Sequence, residues 1–191
     1  MTSSTARAIG DCAGIDFTQV DISHGSHGPT FFGECCVVEW ANRAAVCVPE
    51  LREKFGDPGR FGDDHPSISR VIRSFCISFN DGLPDDESRN RLLRPYITRI
   101  LGTRTTEADE TTRAWLATDW LVRVHAPAWL ELAGLTDDAS KLRALPALTS
   151  AEIALAVQQT ISGARERAAA AWAAARAAAR DAAWAAARAA A

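Results

Sequence analysis

Lysine is nearly missing from this 191-residue chain. It occurs only at Lys54 and Lys141, and the remaining basic residues are arginine. With so much alanine, that usage points to a GC-rich genome and says nothing of activity. Strand signals are missing as well. No segment alternates apolar and polar residues between hairpin turns, which argues against a sheet protein. No run of about 18 apolar residues other than alanine occurs, so no membrane span is expected. Met1 to Gly10 holds no apolar core of a signal peptide. An excess of one charge is lacking too: 21 basic against 24 acidic residues leave a net charge of -3. Nucleic acid is therefore an unlikely partner. Finally, Cys12, Cys35, Cys36, Cys47 and Cys76 include no C-x-x-C pair. An odd set without metal or redox spacing points to reduced thiols in the cytoplasm.

What is present is helical periodicity. Cys36, Val37, Trp40, Ala44 and Cys47 share one face of a helix expected over 33–47. Pro49 opens a short helix to Phe55. Ile68, Val71, Ile72, Phe75, Cys76 and Phe79 form the apolar stripe of a helix over 66–79, stopped by Asn80-Asp81-Gly82. Further helices are expected after Pro84, bent at Pro95; over 106–124; from Pro127 to Gly134; and over 137–145. Thr149-x-x-Glu152 reads as a capping box for a last helix reaching the C-terminus. The expected fold is all-α, an irregular bundle of six or seven helices. It divides into an irregular arm at 1–30, a helical core at 31–148 and a long alanine-rich helix at 149–191. Phe75, Leu93, Ile97, Trp120, Leu121 and Leu130 are the expected core residues.

The alanine-rich tail places Trp172, Arg176, Arg180, Trp184 and Arg188 four residues apart. Each four-residue step advances the stripe by about 40°, so these side chains spiral over half the helix and leave the other half as alanine. Alanine stabilises the helix by itself and lets another helix approach closely. The five spaced residues are the expected interaction surface, for a second copy or a partner protein. No cofactor is implied.

Chemistry-bearing residues are sparse. Cys36 and Glu39, three apart on a helix, together with His65 can be drawn as a metal site or as a thiol nucleophile with its base. The plainer reading puts Cys36 in the core stripe, Glu39 at the surface and His65 at a helix entry. It predicts no tight metal site. His24 and His27 sit three apart in a glycine-rich loop, where a flexible polar loop explains them better than a metal contact. Asp119 and Arg123 have the spacing of a helical salt bridge. The acidic stretch from Asn80 to Glu87 lacks calcium-hand spacing and reads as a turn and helix start.

The order of short motifs carries a resemblance: Cys36-x-x-Glu39, Asp64-His65-Pro66, Asn80-Asp81-Gly82-Leu83-Pro84-Asp85-Asp86, Asp119-Trp120-Leu121-Val122-Arg123 and Pro127-Ala128-Trp129-Leu130, then the Ala/Arg/Trp tail. Over residues 33–191 the chain resembles a group of uncharacterised proteins of high-GC actinobacteria and their phages. Ala44-Ala45-Val46-Cys47 and a longer loop stand where that group has an Ala-Gly-Glu step. The resemblance implies a shared fold in a bacterial cytoplasm and transfers no activity. The sequence is read as a helical binding or assembly protein. A thiol- or metal-dependent enzyme and a nucleic-acid-binding regulator are the alternatives.

Overall fold

The structure is a computed structural model. It describes residues 15–25, 34–57 and 62–189, apart from the side chains of 185–189. The described residues are all-α. Among them, nine α-helices follow one another: α1 Val37–Cys47, α2 Pro49–Phe55, α3 Arg70–Gly82, α4 Asp86–Leu93, α5 Glu107–Trp120, α6 Ala126–Leu132, α7 Thr136–Arg143, α8 Ala151–Ala156 and α9 Gln158–Ala189. A 3₁₀ turn, Arg94–Tyr96, follows α4, and a π-turn, Leu121–His125, joins α5 to α6. The count rises to nine because short helices are set apart by turns and the last expected helix divides in two at Val157. Among the described residues, no helix is long and apolar enough to cross a membrane.

Contacts divide the chain into two compact units, Met1–Arg113 and Ala114–Ala191. Composition suggests a boundary at 148 instead. The alanine-rich helix is not set apart there, because its first half packs on α7 and shares a small core with it.

The N-terminal unit is built around α1. Nearly every residue of this helix is buried, including Glu39, Asn42 and Arg43. A helix buried all round must satisfy its polar groups locally. Glu39 does so by accepting from the Cys36 backbone N–H at 2.8 Å, which makes Cys36 and Glu39 a capping pair. Ile68, Leu93, Ile97, Ile100 and Leu101 close over α1. Phe75 is only half-buried and Phe79 is 43% exposed, so the stripe of α3 reaches solvent at its far end.

Helix α3 starts later and ends later than its pattern predicts. Ser69 caps it, its Oγ accepting from the Ile72 N–H at 3.3 Å and donating to Glu110. The helix runs through Asn80 and Asp81 and ends at Gly82, the last residue of the expected stop. Asn80 is fully buried, donates to the Ser23 carbonyl at 2.9 Å and accepts from the Val37 N–H at 3.3 Å. The helix then ends before Pro84, where the residue preceding a proline leaves helical space. Arg89 closes that end by donating to the Asn80 and Leu83 carbonyls, both at 2.6 Å.

The C-terminal unit has a smaller core of Leu130, Ala139, Leu142 and Ala164. Gly134, at φ 76°, makes the left-handed step that turns α6 into α7. Ser150 rather than Thr149 caps α8, accepting from the Ile153 N–H at 3.3 Å. The expected continuous last helix is interrupted at Val157, not at Gly163, which lies inside α9. A Cβ at Gly163 would meet the Arg167 guanidinium at 3.2 Å. The missing side chain leaves room for Arg167 to fold back and grip Asp138 with two bonds, at 2.7 and 2.6 Å. That clamp, invisible in the local pattern, fixes α9 to α7.

Candidate functional site: an apolar groove beside the last helix

The groove begins with the π-turn. A π-turn places one extra residue in a helical turn and so rotates the next helix by about a third of a turn. Here it directs His125 between two tryptophans. The imidazole stacks on Trp120 with ring centroids 5.0 Å apart and meets Trp129 edge-on at 6.2 Å. Trp129 Nε1 donates to His125 Nε2 at 3.1 Å. An indole nitrogen only donates, so Nε2 carries its lone pair in this arrangement. The same rotation turns Leu121 outward. It is 44% exposed, which corrects its expected core position, and Trp120 is half-buried.

Opposite His125 and Trp129, which Trp120 backs from outside the groove, α9 presents Ile161, Ala164, Ala168, Ala171 and Ala175. Between the two lies a groove of about 640 Å³. That volume is in the range of ligand and peptide pockets. Among its described lining residues only His125 and Arg165 can carry charge. Trp172 stands at the rim, 63% exposed, with the Arg176 guanidinium 4.6 Å from its ring centroid. Such a surface binds by excluding water from apolar area. Asp119 and Arg123 support the π-turn through two bonds, at 2.6 and 2.8 Å. Asp119 also accepts from the Leu148 N–H at 2.8 Å, so the pair has a structural role.

Cys36, Glu39 and His65 are placed differently from the picture of an open reactive centre. All three are buried, at 3%, 2% and 1% exposure. Burial pushes the Cys36 thiol up to about 12, far from thiolate chemistry at neutral pH. The Glu39 carboxylate serves the helix cap. His65 Nδ1 faces the Ser67 hydroxyl at 2.8 Å and accepts from the Ser67 N–H at 3.1 Å, and burial lowers the imidazole from its ordinary value. Among the described residues, no three His, Cys, Asp or Glu side chains are grouped to hold a metal. His27 and Cys12 lie outside the described residues, as does the side chain of Arg188. Cys36 and Cys76 are thiols, whereas Cys47 is disulfide-bonded, which corrects the expectation of uniformly reduced thiols.

Arg176, Arg180 and Trp184 are exposed on the second half of α9. Sequence reasoning singles out these spaced large residues and misses the groove, whose α9 wall is mostly alanine. The signal that could have found it is the spacing of Trp120, His125 and Trp129. A five-residue step followed by a four-residue step fits one face only if a π-turn intervenes. No family model, curated protein or solved structure matches this chain.

Proposed function

We propose that this chain is an assembly protein that recognises apolar helical surface through the groove beside α9. One observation carries the reading. The small-residue face that lines the groove at Ala168, Ala171 and Ala175 continues past it to Ala178, Ala179 and Ala182, all exposed on the same helix. A helix that keeps an apolar face beyond its own core has surface to share. Trp172 at the junction adds a large aromatic of the kind that anchors interfaces. The enzyme reading finds no comparable support, because the Cys36 thiol is held protonated.

Light scattering of the full chain and of a chain ending at Ala175 tests the reading. The shortened chain keeps Arg167 and its bonds to Asp138, so the C-terminal unit retains its clamp. The full chain should have at least twice the monomer mass and the shortened chain the monomer mass. Equal monomer masses would defeat self-assembly.

A further inference from the structure

We infer that the occupant of the groove is the second half of α9 from another copy of this chain, laid antiparallel, with the twofold axis near residues 173 and 174. The inference rests on the assembly reading above and names its partner and register.

The spacing along α9 is self-complementary. Ile161, Arg165, Ala168, Trp172, Ala175, Ala179 and Ala182 alternate steps of four and three, the repeat that keeps one face toward a neighbouring helix. The earlier members of this series line the groove; Ala179 and Ala182 extend the same face where it is exposed. An antiparallel copy centred near 173–174 sets Trp172 against the partner's Ala175, Ala168 against the partner's Ala179, and Arg165 against the partner's Ala182. Each large side chain then meets a small one, and alanine meets alanine between them. A parallel copy would set Trp172 against its own image. It would also bring two α6–α7 hairpins to the same level of the helix pair while leaving both grooves open.

Size supports the same occupant. A helix with its side chains is about 10 Å across and rises 1.5 Å per residue, so the 640 Å³ groove holds the girth of roughly five or six residues of an alanine helix. Overlap of residues 163–184 in both copies is about 33 Å long. Counting the α6 walls, it covers on the order of 1,000 Å², the threshold for a specific interface. The arrangement is isologous, so it closes as a dimer and leaves no free groove for a third copy.

The test is a photo-crosslink from position 179 in the full chain. Ala179→p-benzoylphenylalanine protein is mixed with an equal amount of ¹⁵N-labelled unsubstituted chain, irradiated, and mapped by mass spectrometry. Links between light and heavy chains should join position 179 to peptides from 161–172 or 121–133. Light–heavy links to 176–184, or a dimer by light scattering with no link from 179, would overturn the register while the assembly reading stands. A monomer by light scattering overturns both.

Discussion

The two units of this chain finish their folding differently. The N-terminal unit closes a core of twelve buried apolar residues around α1, and its buried Asn80 and Arg89 are held by backbone groups. The C-terminal unit clusters only four, two of them alanine. Of the eleven large hydrophobic side chains exposed among the described residues, eight lie in the C-terminal unit, including Leu116, Leu132, Leu155 and Trp129. Apolar exposure concentrated in this way marks a surface that meets something else. Of those eight, Leu121, Trp129 and Trp172 line the groove and Trp184 lies farther along α9, while the other four are spread over the rest of the unit.

The contrast is sharpest for core truncations. Ile97 is 1% exposed in the N-terminal core, and Ile97→Ala should cost about 3 kcal/mol in denaturant unfolding. A loss under about 1 kcal/mol would show that this core is looser than its burial implies.

Acid should separate the units next. Burial lowers the His65 imidazole below its ordinary 6.5, against the Gly56 backbone, Asp64 and Asp57, which raise it. The unfolded chain therefore binds the proton more tightly. Stability from this group is complete above about pH 6.5 and is lost as pH falls below it. In the C-terminal unit, Arg167 holds Asp138, and Arg123 holds Asp119, below the ordinary carboxylate value of 3.8. Their contribution is present above that value and is lost only as pH falls beneath it. Hydrogen exchange followed segment by segment, corrected for intrinsic rates, should show α1 and the 62–69 loop loosening between about pH 6.5 and 5 while α7 and α9 hold. His65→Gln should flatten that response; an unchanged slope in the variant would place its origin elsewhere.

The smallest effect belongs to the groove. Leu121→Ala removes a half-exposed side chain, so unfolding should shift by less than about 1 kcal/mol. Dimer mass should nevertheless fall at low protein concentration. A large stability loss with unchanged association would mean that Leu121 is core after all.

Much of the fold is legible in local pattern, because apolar spacing and prolines set most helices within a few residues. The features that escape are held by distant partners. Asn80 looks like a helix stop until Ser23 and Val37 take both ends of its amide. Gly163, a residue that weakens helices, stays inside α9 because Arg167 uses the space above it to reach Asp138. Leu121 fails for another reason. Assigning it to the core assumes a rotation of about 100° per residue, and the π-turn violates that assumption at the residue in question. The groove inherits the same difficulty, since its aromatic wall comes into line only after the extra residue is counted. Cys36 and Glu39 are readable as neighbours on one helix. Their joint use as a cap needs the geometry at the start of α1.

The π-turn also makes the groove depend on a residue count. Removing one residue from Leu121–His125 would let α5 run into α6 as a regular α-helix and swing Trp129 away from α9 by roughly 100°. The aromatic wall would then point to a different side of the helix, although no residue of that wall had changed. Chains of this kind that differ by a single-residue deletion there should share the helices and lose the groove. An alignment that slides a gap through this stretch to maximise identity would hide that difference.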